Sequence, residues 1–545
     1  MQRFRKHLFH AMTTSWVGVI FVLTACSSAS CSGKSVGEKL GSGGVLGSGG
    51  DLAGSGGGPT ESPDASIAGA GGPSMIDSST GSDGLDGGTT DPAGDGGNEV
   101  AAPSLMGDDF VSDVKVEVHS QTSTILVVTW TQLIAADAAL LEFTFAGSAM
   151  MTSRAQQGAI GAHRDVILGI PEKTAVTVRI VSKLAGVEYK TKDYQGTTGA
   201  VPSSFPRAQV LAYDPDSSSP ERWMLGAVEG GPGGCSDIFS CYYLGPYWIY
   251  IMDRQGRIVW YWADMSDDAS SSYPHVARDG EYIVIDKGRG GNTGVVKMTL
   301  DRQYYQFTAI KDLDDAIDVT SDGSVLYDTN GELFELTKQG TTRSIWSCSK
   351  YFGTSFECYS NTVNWVPADD TVLLSFPGPC VVVQVDRKTG ALAGLYGSVA
   401  GSYAFSPSPW RFQFPHSPTI TPDGTLLVST HLPDYPETTP AGPNHHAFEE
   451  FSIDRAARKL TQKWIYSDGP EWANAKGFAL RLANGNTLAN YGTGGVIREI
   501  TPDKRTVFQV KFPAAASSAN PYYNRMVGSS VYVDDLYALN GGGPQ

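Results

Sequence analysis

From about Asp108 to Gly199, hydrophobic and polar positions follow the two-residue period of β-strands. Val114-Lys115-Val116-Glu117-Val118 alternates strictly, and Thr124-Ile125-Leu126-Val127-Val128-Thr129-Trp130 is an apolar run ending in an aromatic. Leu141-Glu142-Phe143-Thr144-Phe145 and Ala175-Val176-Thr177-Val178-Arg179-Ile180-Val181 continue the pattern. Short strands packed this densely predict a small antiparallel β-sandwich over residues 106–201. After Pro202 and Pro206 the strands regroup. A strand–turn–strand unit returns about every 40–60 residues, the blade spacing of a propeller. "IYIMDRQGRIVWYW" from Ile249, "VVVQVDRKTGALAGLYG" from Val381 and "FEEFSIDRAARKLTQKWIY" from Phe448 are three copies. Between them lie "HVARDGEYIVID", "IDVTSDGSVLYD", "NWVPADDTVLLS", "HSPTITPDGTLLVS" and "ALRLANGNTLANYG". Each turns on Asp-Gly, Asp-Asp or Asn-Gly, residues that tolerate the positive φ of tight hairpins. No long amphipathic helix interrupts the series. Residues 205–545 are therefore predicted to form one all-β propeller of about six blades.

The N-terminus is patterned differently. Arg3, Arg5 and Lys6 precede a short apolar core, Trp16 to Leu23, and then Leu23-Thr24-Ala25-Cys26. The apolar run is too short to span a bilayer and has the flanks of a secretion signal. The Leu-Thr-Ala-Cys sequence fits a lipobox, so residues 1–25 read as a lipoprotein signal peptide and Cys26 as the lipidated first residue. Residues 26–105 read as a disordered Gly/Ser/Asp-rich tether. From Gly33 to Ala102 there is no aromatic residue, and ten acidic residues face two lysines. Such a segment buries too little apolar surface to offset its chain entropy. The expected setting is the cell envelope, with the chain lipid-anchored at an outer membrane, on its periplasmic side or at the cell surface.

The formal charge of −17 argues against nucleic acid as a partner, because phosphate binding needs a basic face. Cysteine spacing suits an oxidising compartment. Cys235 with Cys241, and Cys348 with Cys358, are each spaced for a local disulfide, which leaves Cys31 and Cys380 over. No Cys-x-x-Cys pair exists to anchor zinc. His431, His445, His446 and Asp434 could hold a metal, but the stretch reads as a Pro-rich exposed loop, and no metal is assigned.

The strands "VTW" and "AVTVRIV" resemble those of a fibronectin type III domain. The hairpins resemble the bacterial arylsulfotransferase family, which works without an adenylylated sulfate donor. "MDRQGRIVWYW", "NTVNWVPADDTVLLS", "VDRKTGALAGLYG", "FPHSPTITPDGTLLV" and "LRLANGNTLANYGTGGVIREITPDK" match that family's motifs in order over most of residues 245–510. The resemblance implies chemistry at the propeller funnel. A His there accepts a sulfuryl group from an aryl sulfate and passes it to a phenol, while other His residues and an Arg hold the sulfate oxygens. Residue by residue, most of this is replaced. Tyr359 stands where a His is expected, two places before Asn361, and Pro377 lies where an Arg should be. His416 alone matches. His275, Arg411 and His431 are candidate substitutes, and Tyr359 and Asn361 candidate binding residues. Two functions stay open: sulfuryl transfer through His416, or a degenerate propeller whose Tyr359, Trp365, Trp410 and His416 line a funnel for an aromatic or sugar ligand. Otherwise His416 is bonded to backbone and the Trp residues fill blade cores. "VDRKTG" also occurs in quinoprotein propellers, but the Trp that closes their repeat is present at Trp260 and Trp464 and missing at Leu395-Tyr396. No cofactor is assigned. The expected partners are a small aromatic or sulfated molecule and, through Cys26, a lipid membrane; the oligomeric state is left open.

Overall fold

The computed structural model describes residues 105–231, 247–263, 276–278, 280–287, 293–313, 316–408, 413–431, 446–467, 473, 476–514 and 524–541. The expected signal peptide, the expected tether up to residue 104, Cys26, Cys235, Cys241, His275, Trp410 and Arg411 lie outside them. The described chain is all-β: a two-sheet sandwich followed by a propeller, and its longest helix is Cys348–Phe352.

In the sandwich, Val111–Val118, Leu126–Gln132 and Gly161–Ile167 form one sheet, and the other is built around Ala136–Phe145 and Ala175–Leu184. Leu126–Gln132 buries every second residue, as a strand with one face on a core must. Its inward residues, Leu126, Val128 and Trp130, meet Leu141, Phe143, Val178 and Ile180 of the opposite sheet.

Six sheets follow among the described residues, one per blade. Their innermost strands are Val527–Val533 in blade 1, Val276–Arg278 in blade 2, Ile317–Val319 in blade 3, Thr362–Val366 in blade 4, Gln413–Ile420 in blade 5 and Phe478–Arg481 in blade 6. Each inner strand contacts the next, and blade 1 contacts blade 2, so the ring is closed. Middle strands are covered on both faces, which is why they read as unbroken apolar runs rather than alternations. Thr371–Phe376 is buried at every position. Six apolar clusters fill the six gaps between blades.

Two non-local pairings close the ring. Val527–Val533, from the C-terminus, pairs with Trp223–Glu229 to complete blade 1. Gln209–Tyr213, from before the first blade, adds a fifth strand to blade 6 beside Thr506–Lys511. The sandwich rests on blades 1 and 2. Ile125, Val166 and Leu168 join the cluster of Trp223, Trp260 and Met298. Arg164 pairs with Asp301 at 2.8 Å.

A repeated row of polar residues registers the blades. Asp318, Asn364 and Thr419 stand opposite Leu326, Leu373 and Leu427 on the neighbouring strands. Each reaches the backbone of the next blade. Asp318 Oδ2 accepts from Trp365 N at 2.7 Å, Asn364 Nδ2 donates to Pro418 O at 2.9 Å, and Thr419 Oγ1 donates to Ala479 O at 3.2 Å. One strand further out, Glu335, Gln384, Glu450 and Glu499 face the same leucines or Leu488. They bind Arg387, Arg455, Arg481 and Arg254 of the following blade.

Of the sequence expectations, the Cys348–Cys358 disulfide is present. Cys380, expected to be left over, is also disulfide-bonded. Trp365 does not line a funnel with His416. It packs in the gap between blades 3 and 4, and its Nε1 donates to Asp370 Oδ1 of the hairpin turn at 3.0 Å.

Candidate functional site

The candidate site is built on blade 5, beginning with the sequence Phe414-Pro415-His416-Ser417-Pro418. Proline has no N–H to give a ladder, so Pro415 and Pro418, three residues apart, cannot both sit in a regular inner strand. The strand answers with two register shifts, one on each side of His416. Phe414 and Ser417 take positive φ, 46° and 45°. Such a conformation is an outlier for a bulky residue, and bulges of this kind re-aim the side chain between them. The freed carbonyls are taken up by blade 4: Asn361 Nδ2 donates to Pro415 O at 3.2 Å and Asn364 to Pro418 O. Asn361 is in turn held by Ser375, whose hydroxyl donates to Asn361 Oδ1 at 2.5 Å. Asn361 is thus a brace for the His416 bulge.

His416 is buried at 8% exposure. Its Nδ1 lies 2.7 Å from Gly477 O and 3.0 Å from Ser417 Oγ. A carbonyl only accepts, so Nδ1 carries a proton, and in the neutral ring the lone pair is then on Nε2.

Two more histidines join it. His431 ends the strand Leu426–His431 and His446 begins the strand His446–Asp454; they are direct cross-strand partners. Their rings lie 5.7 Å apart. His446 Nε2 meets Ser429 Oγ at 2.8 Å. Phe414 sits 5.7 Å from His431, and Phe448 and Tyr491 sit 5.0 and 5.6 Å from His446. Gly477 permits this packing. A Cβ there would fall 1.7 Å from Ser429 Oγ and 2.7 Å from His446 Nε2, so no larger residue fits without displacing them.

Burial sets the electrostatics. Desolvation pulls the His431 imidazole down to about 4. Desolvation, followed by the proximity of His431 and His416, holds His446 well below the ordinary imidazole range. Both rings are therefore neutral near pH 7. Neutral imidazoles beside aromatic faces offer hydrogen bonds and stacking surface; His416 Nε2 adds a lone pair.

The structure brings together His416 and His431, with Asn361 braced behind them. Tyr359, at 38% exposure, is a surface residue. His446, expected in an exposed loop, is a buried strand residue, and the sequence reading missed Ser429, Gly477 and Tyr491. The two-residue period of the strand Leu426–His431 puts Ser429 and His431 on one face and was the available signal. Among the described residues, no group of three or more His, Cys, Asp or Glu is disposed to hold a metal ion; Asp434 and His445 lie outside them.

No family model matches the chain, and no curated protein matches it. Solved structures similar to it include a protein of unknown function from Bacteroides caccae (TM-score 0.34, 15% identity, 53% of this chain and 93% of that one). Others are the hydrazine synthase of Kuenenia stuttgartiensis (0.36, 12%, 54% and 94%) and a gluconolactonase from Xanthomonas campestris (0.32, 12%, 57% and 90%). At these scores the similarities carry no argument about chemistry.

Proposed function

We propose that the propeller binds a small aromatic molecule at the histidine cluster of blade 5. The supporting observation is the triad of buried histidines, His416, His431 and His446, two of them kept neutral by desolvation and walled by Phe414, Phe448 and Tyr491. A phenolic or similar ring suits such walls: its face meets aromatic side chains, and its hydroxyl meets an imidazole nitrogen.

Sulfuryl transfer is the second reading, favoured by one observation: the Gly477 carbonyl fixes the His416 tautomer with its lone pair on Nε2. In that reading Nε2 attacks the sulfur of an aryl sulfate, and the aryl O–S bond breaks. The departing phenolate takes a proton from solvent. An acceptor phenol oxygen then attacks the same sulfur, loses its proton, and returns His416 to its starting state. Neutrality of His431 and His446 weighs against it, because sulfate oxygens need cationic partners.

One experiment separates the two. The protein is incubated with 4-nitrophenyl sulfate and phenol while nitrophenolate release is followed, and 4-nitrophenol binding is measured by calorimetry. Binding alone is expected to give saturable heats without release, and His416→Ala should weaken it. Release that vanishes in His416→Ala would instead establish transfer. Neither binding nor release would remove both readings.

We also propose that Cys26 carries the lipid anchor and holds the protein in the cell envelope, as the lipobox supports. Cys26→Ser should release the chain from membranes and abolish incorporation of labelled palmitate; unchanged membrane retention would refute the anchor.

A further inference from the structure

A cleft of about 480 Å³ opens between the sandwich and blade 1, away from the blade 5 histidines. Its walls are the sandwich turn from Phe145 to Ser148, the approach to blade 1 with Tyr213, Glu221 and Arg222, and the Asp253 to Arg257 hairpin turn. These walls are fixed in place. Ser148 Oγ accepts from Phe145 N at 3.0 Å, and Asp253 Oδ1 accepts from the backbone N–H groups of Gln255 and Arg257. A Cβ at Gly147 would meet nothing within 4 Å, so the turn leaves open space.

The lining carries three arginines, Arg222, Arg254 and Arg257, and two carboxylates, Glu221 and Asp253. Two of the arginines are already matched. Arg254 pairs inward with Glu499 at 3.2 Å, and Arg257 pairs with Asp253 at 2.7 Å. Arg222 has no such partner among the described residues. Its guanidinium lies over Trp223, 4.5 Å from the ring centroid, and Nη1 reaches the Met151 sulfur at 3.1 Å. A thioether is a weak acceptor, and stacking leaves the planar N–H fork available to an oxyanion.

We propose that this cleft binds a small carboxylate with an apolar, ring-bearing body. The carboxylate would be taken bidentately by Arg222, and the body would lie against Phe145 and the half-exposed Tyr213. A preformed cleft of this size at a domain junction suits such a ligand, and the Arg–carboxylate fork supplies orientation. Bound there, the ligand would bridge sandwich and propeller.

The test uses the full mature chain and calorimetric titration with 2-naphthoate, against the neutral isostere 2-naphthamide. Saturable naphthoate binding is expected, with naphthamide and Arg222→Gln each about tenfold weaker or more. Arg222→Lys, which keeps charge but loses the fork, should fall between. His416→Ala should leave naphthoate affinity unchanged, which separates this cleft from the blade 5 site. The proposal is overturned if naphthoate does not saturate, or if naphthamide binds equally well in the wild-type protein. It is also overturned if folded Arg222→Gln binds like wild type, or if His416→Ala removes binding.

Discussion

Arg254→Met should open the propeller at its closure. Arg254 is almost fully buried where the two ends of the ring meet. Its Nε donates to Glu221 O at 2.9 Å and Nη2 to Ser219 O at 2.7 Å; Nη1 reaches Glu499 and the Tyr532 hydroxyl. Four parts of the chain thus meet on one guanidinium: the loop that leads into blade 1, the blade 1 hairpin turn, blade 6 and the C-terminal strand. Methionine fills much of the volume but leaves Glu499 fully buried, with Ser219 N–H, Asn486 Nδ2, the more distant Asn484 Nδ2 and the Tyr532 hydroxyl as its remaining donors. Stranding one member of a buried pair costs about 3–5 kcal/mol. For a propeller of roughly 340 residues, unfolding entropy at about 2.1 cal/mol/K per residue is near 0.7 kcal/mol/K, so Tm should fall by about 4–7 °C. Scanning calorimetry on the single and double variants reads this directly. Arg254→Met/Glu499→Gln should recover part of the loss, because it removes the uncompensated charge. Arg505→Met, breaking the exposed pair with Asp214, should move Tm by about 1 °C or less. If Arg254→Met shifts Tm no further than Arg505→Met, the reasoning fails. A double variant less stable than the single would refute it equally.

Three further outcomes are expected. Burial raises the Asp318 carboxyl to about 6, so the folded state holds its proton more tightly than the unfolded chain. The stability this contributes is complete below the unfolded pKa and is lost as pH rises through about 6. Urea midpoints of the wild type should therefore fall between pH 5 and 7.5, and Asp318→Asn should remove about 1–1.5 kcal/mol of that fall; an unchanged slope would contradict it. His431 behaves in the opposite sense. With its folded value pulled to about 4, its contribution is present above the ordinary imidazole value and disappears as pH falls through about 4. The His431 ring resonances should thus stay flat from pH 8 to 5.5, and an NMR midpoint near 6.5 would be the contrary result. Replacing Cys348 and Cys358 by Ser frees the loop that carries the stacked Phe352 and Phe356 rings, at a cost of about 3 kcal/mol, and should speed tryptic cleavage after the exposed Lys350; unchanged cleavage would contradict it.

The hairpins were legible because each carries its own turn chemistry and its own apolar run. "TPDGTLLV" and "TSDGSVLY" fold as read because Asp-Gly fixes the turn and the following strand is covered on both faces. The closure was not legible. Gln209–Tyr213 and Val527–Val533 pair with strands hundreds of residues away, and no local pattern announces such partners. The site was half legible. Pro415 and Pro418 hold the signal that His416 cannot sit in a regular strand, but the segment reads as an ordinary hairpin until its register is seen. His446 looked like loop because it ends a Pro-rich stretch, and only its register against His431 makes it a buried site residue. Asn361 was read as a binding residue; its side chain instead carries the Pro415 carbonyl, a contact visible only once blades 4 and 5 are side by side.

The most direct test of the blade 5 site is a histidine-labelled NMR titration with 4-nitrophenol. His416, His431 and His446 should shift together and saturate at one midpoint, while His119 and His163, on the sandwich, stay fixed. Saturable shifts at His119 or His163 alone, or no response from the three blade 5 histidines, would contradict the assignment of the site.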